Sequence, residues 1–117
     1  MKNFVILIPS YNDWDCLNVL IPKIDNILKN KDKSFSIIII NDASTIKNNL
    51  TFKSKLCFKK IEILNLIKNV KAQKAITTAL YYLKKKNYNG GIVLMDADGQ
   101  DDPEVLPEII EHADKNS

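Results

Sequence analysis

Apolar residues gather in four short runs along the chain, and polar residues bound each run. Runs of four to eight residues that are rich in Ile and Val predict strands, and a run without alternation is typical of a strand buried on both faces of a sheet. The predicted strands cover residues 3–8, 35–40, 61–66 and 92–95.

Between these strands, apolar residues recur at the spacing of one helix face, which predicts helices over about 14–28, 69–86 and 105–113. Pro22 lies inside the first of these patterns, so we expect the helix to bend or end there. Residues 46–58 fit either a short helix or an irregular crossover. Alternating strands and helices predict a Rossmann-like α/β fold, in which a mostly parallel sheet lies between two helical layers.

The chain has 117 residues, which suits a single domain over 1–117 with its own core. No apolar run approaches the roughly 20 residues that span a bilayer, and the first residues lack the cleavage site of a signal peptide. Two separated cysteines predict reduced thiols and a cytoplasmic protein. With one histidine beside them, we expect no zinc site.

Charge is distributed unevenly, although the net charge is only +3. Residues 1–95 carry 16 lysines and 6 acids, whereas residues 96–117 carry 8 acids and 1 lysine. A nucleic-acid-binding protein more often concentrates arginine and aromatic residues in one stripe, and this chain has no arginine. The acidic segment would also repel a phosphate backbone, so we expect no nucleic-acid partner.

The fourth predicted strand leads directly into two carboxylates, Asp96 and Asp98. Residues two apart on a strand point to the same side, and ligands of open α/β sheets bind at the carboxyl ends of the strands. Two close carboxylates repel each other unless a cation lies between them, and oxygen ligands suit Mg²⁺ or Mn²⁺. Asp102 has a simpler explanation as a helix cap, because Pro103 and Glu104 are favoured in a first turn.

Polar clusters also follow the first and second predicted strands, at residues 10–12 and 41–44. The carboxyl ends of parallel strands lie along one edge of a sheet, so these clusters and residues 96–98 should meet there. Carboxylates and an aromatic ring on one edge indicate a binding site.

Four segments, taken in order, resemble the N-terminal, nucleotide-sugar-binding half of family 2 glycosyltransferases. They are Ile-Pro-Ser-Tyr-Asn at 8–12, Ile-Asn-Asp-Ala-Ser at 40–44, residues 69–75, and Met-Asp-Ala-Asp-Gly-Gln-Asp-Asp-Pro at 95–103. Each is weak alone, but the ordered set is specific, and the last is most similar to the polyprenyl-phosphate branch. The resemblance implies the GT-A nucleotide-diphospho-sugar transferase fold, truncated before the acceptor half.

The resemblance also implies roles in nucleotide binding. Pro9 and Tyr11 would line the base pocket, with the Tyr11 ring packed on the base. Asp42 would accept a hydrogen bond from a ring N–H, a contact that favours uracil or guanine. Asp96 would lie near the ribose, and Lys74 is a weaker candidate for the phosphates.

For the reaction, the resemblance implies a metal-dependent hexosyltransferase that uses Mg²⁺ or Mn²⁺. Asp98 would be a direct metal ligand, with Asp96 and Gln100 nearby, and Asp96 and Asp98 would be the catalytic pair. A cation on the diphosphate makes it a better leaving group. The implied partners are a UDP- or GDP-sugar donor and a lipid-phosphate or glycan acceptor in cell-envelope glycan synthesis, with a full-length form at the inner face of the membrane.

Two positions depart from the family pattern. The family usually has Asn-x-Gly in the third segment, whereas Lys71 follows Asn69 and Val70 here. We therefore expect that loop to be reshaped. In the second segment, Asn41 stands in place of the first of two usual acids, while Asp42 keeps the second.

Two other hypotheses stay open. The chain fits a catalytically incomplete nucleotide-binding fragment or interaction module, because the acceptor half is absent. A receiver-like regulatory domain fits the acidic cluster and the α/β alternation, but it lacks a convincing phosphoacceptor and a later strand-end lysine. We also predict self-association through an uncovered sheet edge. The base, the sugar, the acceptor and the stereochemical outcome stay open.

Overall fold

The computed structural model describes residues 3–52 and 56–115. Its strands and helices alternate in the predicted order. They are β1 (Asn3–Ser10), α1 (Trp14–Leu28), β2 (Ser34–Asn41), β3 (Lys60–Asn65), α2 (Lys71–Lys85), β4 (Gly91–Leu94), a 3-10 turn (Pro103–Val105) and α3 (Leu106–Lys115).

The four strands form one parallel sheet in the order β3-β2-β1-β4. All four strands run in the same direction, so their carboxyl ends share one edge of the sheet. The predicted parallel α/β fold is therefore confirmed. The loops after β1, β2 and β4 all begin at this edge.

Helices cover both faces of the sheet, which gives the predicted three layers. On one face, α1 and α3 pack on alternate residues of β1 and β2, and the buried α1 residues include Trp14, Leu17 and Ile21. On the other face, α2 places Ala75 and Ala79 against β1 and β2. The consecutive isoleucines of β2 are thus divided between two cores, which explains why this strand has no polar side.

Two prolines lie inside elements of the fold. Pro9 follows the predicted strand 3–8, yet β1 continues through it to Ser10. The Leu7 carbonyl accepts a hydrogen bond from the Met95 N–H, so the backbone of Leu7 faces β4. Pro9 is two residues further on and faces the same side. The pairing with β4 has ended at that point, so no N–H is needed from Pro9. Likewise, α1 does not end at Pro22, because it buries apolar residues on both sides of the proline.

The prediction that the fourth strand is buried on both faces is wrong. Val93 is buried, but Ile92 and Leu94 are 43% and 52% exposed. These two side chains lie on the face that α2 covers, and β4 is an edge strand beyond the reach of that helix.

The crossover between β2 and β3 is irregular in residues 46–52 and 56–58, which contain no helix, and residues 53–55 lie outside the described part. Cys16 and Cys57 are free thiols. Within the described ranges, no helix combines the length and apolar character needed to cross a bilayer.

Candidate functional site

A hollow of about 180 Å³ opens at the carboxyl ends of β1, β2 and β4. Five of the residues singled out from the sequence line it, namely Pro9, Tyr11, Asp42, Asp96 and Asp98. The rest of its lining comes from Ser10, Asp13, Ala72 and Ala97. Residues from three loops and the start of α2 therefore surround one space.

Asp42 anchors the part of the hollow next to α2. It is 3% exposed, and its Oδ1 and Oδ2 accept hydrogen bonds from the backbone N–H groups of Val70 (2.7 Å) and Lys71 (2.9 Å). The Asn69 side chain donates to the Asp42 carbonyl at 3.1 Å. Each carboxylate oxygen has a second lone pair, so Asp42 can hold α2 in place and still accept a hydrogen bond from a ligand.

Asn12 joins the β1 loop to the β2 loop. Its Oδ1 accepts from the N–H groups of Thr45 and Ile46, both at 2.9 Å, and its own N–H donates to Ser44 Oγ at 2.9 Å. The sequence shows Asn12 only as part of a polar motif, and nothing in that motif predicts this positioning role. Asparagine tolerates the left-handed conformation that Asn12 adopts, with φ of 58°.

Asp13 occupies the N-cap position of α1, but its side chain makes no capping bond. Instead, Asp13 Oδ2 accepts a hydrogen bond from the Tyr11 N–H at 3.1 Å. The carboxylate therefore helps to fold the β1 loop rather than the helix.

The backbone around the hollow is strained. Asn12, Ala43 and Lys71 have φ values of 58°, 59° and 72°, and Gly99 has 85°. The left-handed region costs about 1–2 kcal/mol for a residue with a Cβ, and such residues concentrate at functional sites. Lys71 thus adopts a conformation that glycine adopts easily.

The loop after β4 is folded partly by its own carboxylates. Asp101 Oδ2 accepts from the Asp96 N–H at 2.9 Å, and Asp98 Oδ1 accepts from the Gln100 N–H at 3.2 Å. Asp102 Oδ1 accepts from the Glu104 N–H at 3.0 Å at the start of the 3-10 turn, which confirms that Asp102 is a cap.

The acids of this loop repel one another. Burial raises the pKa of Asp96, and the negative charges of Asp101 and Asp98 raise it further. Within residues 3–52 and 56–115, no lysine forms an ion pair with these three acids. A cation would remove this repulsion.

The residues suit a cation that also takes ligands from a diphosphate. The described residues contain no group of three or more His, Cys, Asp or Glu side chains placed to hold a metal ion by themselves. Mg²⁺ is usually held by one or two carboxylates together with substrate phosphates, so Asp96 and Asp98 fit that incomplete donor set.

A larger groove of about 550 Å³ adjoins the hollow, between α1 and the loop after β4. The two spaces share Ala97 and Asp98. Gln100 lines this groove and not the hollow, while Lys74 lines neither. The structure thus brings Gln100 to the neighbourhood of Asp98 but leaves Lys74 away from both cavities.

Ser10 is a second residue that sequence reasoning missed. It is 3% exposed and lines the hollow, and its Oγ has no hydrogen-bond partner among the described residues. An unsatisfied buried hydroxyl costs about 1–3 kcal/mol. The sequence placed Ser10 in the polar cluster at this edge, but it gave no sign that the hydroxyl would be buried without a partner.

Comparison with known proteins was made on the whole chain. Residues 5–117 match the model of glycosyl transferase family 2. An uncharacterized glycosyltransferase of Synechocystis is 30% identical over 110 residues, covering 91% of this chain and 32% of the relative. A dolichol-phosphate mannosyltransferase of Pyrococcus furiosus is 31% identical over 109 residues, covering 91% of this chain and 28% of the relative.

A solved structure shares the fold. The crystal structure of TarS from S. aureus superposes with a TM-score of 0.64 at 20% identity, covering 98% of this chain and 33% of that one. The chain therefore spans about a third of the length of the relatives it matches.

Proposed function

Because the chain belongs to glycosyl transferase family 2, we propose that its hollow binds the nucleotide of a UDP- or GDP-sugar, with a divalent cation between Asp98 and the diphosphate. The family generally uses a divalent metal. The observation that carries the proposal is the meeting of Tyr11, Asp42, Asp96 and Asp98 around one space at the sheet edge.

Base binding follows from the side chains on the β1 and β2 loops. Tyr11 is 45% exposed at the rim of the hollow, so its ring is available to pack on a base. Asp42 lines the same space and keeps lone pairs that can accept a further hydrogen bond, and uracil and guanine each present a ring N–H. The hydrogen bonds from Val70 and Lys71 hold the carboxylate in one orientation, so it needs little reorganisation when a base binds.

The diphosphate would then lie near the loop after β4. Asp98 and Asp96 would hold the cation, with Gln100 close to Asp98 on the side of the larger groove. When bound, the cation neutralises charge on the departing nucleoside diphosphate as a Lewis acid. The part of this chain would be to present two carboxylates where that charge develops. The Gln100 N–H donates to the Asp98 carboxylate, and the Asp96 backbone N–H donates to Asp101, which fixes the start of the loop.

For the acceptor, we propose a lipid phosphate ahead of a glycan hydroxyl. A similar protein is named a dolichol-phosphate mannosyltransferase. A phosphate acceptor is already ionised and needs no strong protein base, whereas a hydroxyl would need one. The groove that adjoins Asp98 offers room for an acceptor beside the donor.

Titration calorimetry tests donor binding. We expect UDP or GDP to bind in the presence of Mn²⁺ and to lose most of that affinity in EDTA. Equal affinity with and without the metal would contradict the proposal.

A second candidate is a nucleotide-binding portion without transferase activity of its own, and the span of about a third of the relatives favours it. A transfer assay with labelled nucleotide sugars and polyprenyl phosphate separates the two. Transfer by the 117-residue chain would exclude the second candidate.

A further inference from the structure

We propose that Lys71 selects the base of the donor, by donating a hydrogen bond to the ring carbonyl that adjoins the N–H bound by Asp42. This inference rests on the proposed nucleotide site. It goes beyond that site because it gives Lys71, which departs from the family pattern, a role in distinguishing uracil and guanine from cytosine and adenine.

The backbone of Lys71 is fixed beside Asp42. Its N–H donates to Asp42 Oδ2 at 2.9 Å, and the next residue, Ala72, lines the hollow. Lys71 does not itself line the hollow, but its Cα lies between the lining residue Ala72 and Val70, whose N–H also binds Asp42, so its side chain starts near the carboxylate proposed to bind the base. A lysine side chain is long enough to reach a ligand group bound next to that carboxylate.

Packing and ion pairing do not account for a lysine at this position. Lys71 is exposed, and no hydrogen bond or ion pair of its ammonium group is formed with the described residues. Exposed lysines such as Lys29 and Lys74 also lack such a partner among the described residues, so what distinguishes Lys71 is its place beside Asp42. The positive φ of 72° also makes glycine the more stable choice.

The hydrogen-bonding groups of Asp42 and Lys71 together match two of the four bases considered. Asp42 is ionised and only accepts hydrogen bonds, while the lysine ammonium group only donates them. Uracil and guanine present a ring N–H next to a carbonyl oxygen, which is the complementary order of groups. Cytosine and adenine present an unprotonated ring nitrogen next to an amino group, so both contacts would be mismatched.

The test compares three variants at one position. Lys71→Ala removes the ammonium group and keeps the Cβ, Lys71→Gly removes both, and Lys71→Arg keeps a cation. Lys84→Ala, in the last turn of α2 and distant from the hollow, is the charge-matched control. Calorimetry with UDP, GDP, CDP and ADP in Mn²⁺ gives the affinities, and thermal unfolding gives the stability of each variant.

We expect Lys71→Ala and Lys71→Gly to weaken binding of the preferred nucleotide about tenfold, as the loss of one charge-assisted hydrogen bond predicts. Binding of CDP and ADP should change little, and Lys71→Arg should keep most of the affinity. Lys71→Gly should also unfold at a higher temperature than wild type, so its weaker binding cannot be attributed to poor folding.

Two results would overturn the inference while the proposed function stands. One is wild-type affinity for the preferred nucleotide in Lys71→Ala and Lys71→Gly. The other is an equal loss of affinity for all four nucleotides, which would assign Lys71 to the phosphates. If wild-type protein bound none of the four, the proposed function itself would fail, and this inference with it.

Discussion

The acids beside the hollow and two acids elsewhere in the fold differ in their surroundings. Away from the hollow, lysines neutralise both acids: Glu62, in the middle of β3, pairs with Lys60 at 3.3 Å, and Asp114, near the end of α3, pairs with Lys33 at 2.7 Å. Burial raises the pKa of Glu62, but hydrogen bonds from Tyr82 and Lys60 outweigh it and lower the pKa overall. The hydrogen bond from Lys33 lowers the pKa of Asp114 to about 2.

At the carboxyl end, no described lysine compensates Asp96, Asp98 and Asp101, and the pKa of Asp96 is raised. Strained backbone is also concentrated there. Glu62 and Asp114 therefore contribute to stability, whereas the three acids of the loop after β4 are kept together at a cost in stability. Such an arrangement is expected where a ligand supplies the missing positive charge.

The largest effect is expected from Asp98→Ala. If this carboxylate holds the cation, its loss should weaken Mn²⁺-dependent binding of UDP or GDP by at least about 100-fold, since even outer-shell changes at metal sites cost 10–100-fold. Glu108→Ala, an exposed acid on α3, is the matched control and should bind as wild type does. Calorimetry measures the affinity of both variants, and an equal loss of affinity in the two would contradict the role of Asp98.

Asp42 is the exception at the carboxyl end, because its carboxylate is satisfied by two backbone N–H groups. Asp42→Ala leaves both donors without their partner, and we expect the free energy of unfolding to fall by about 3 kcal/mol. Urea denaturation measures this. Glu108→Ala, at an exposed position of α3, serves as the control and should change stability by less than about 1 kcal/mol. Similar small losses for both would show that Asp42 does not anchor α2.

The exposed edge of β4 offers a way to sharpen the comparison. If β4 of two copies paired in antiparallel fashion, the acidic loop that follows β4 in one copy would lie beside the start of β4 in the other, which lysines precede. We predict that self-association through Ile92 and Leu94 is strongest at low ionic strength, because salt screens such contacts. Light scattering at several salt concentrations tests this, with Leu94→Lys as the disrupting variant. A monomer at every concentration would contradict it.

The smallest effect concerns Glu62 in β3. A depressed pKa means that Glu62 stabilises the fold above pH 4.5, its ordinary pKa, and that this contribution is lost as the pH falls through the lower folded value. Glu62→Gln should therefore lower stability by about 0.5 kcal/mol at pH 7, since the pair is partly exposed, and the difference from wild type should shrink at pH 3. A difference that grew on acidification would have the wrong sign.

Much of the fold was predictable because the apolar patterns are unambiguous. The four isoleucines of β2 allow a buried strand and little else, and the helical spacing around α1 survives the presence of Pro22. The exposure of β4 was not predictable from its own residues. An apolar run has the same composition in the centre and at the edge of a sheet, and only the order of the strands decides which it is.

The candidate site was also predictable only in part. Residue type and strand direction predicted that Asp42, Asp96 and Asp98 share an edge, and the structure places them around one hollow. The linking role of Asn12 and the unsatisfied hydroxyl of Ser10 depend on contacts between loops that are more than 30 residues apart or on local burial, and neither leaves a pattern in the sequence.

The most direct test of the central claim is thermal unfolding of wild type and Asp98→Asn, with and without Mn²⁺ and UDP or GDP. If Asp98 is kept for a cation at the expense of stability, the ligand-free variant should unfold at or above the wild-type temperature. Adding metal and nucleotide should then raise the unfolding temperature of wild type but not of the variant. A ligand-free variant that unfolds well below wild type, or the same ligand-induced rise in both proteins, would contradict the account.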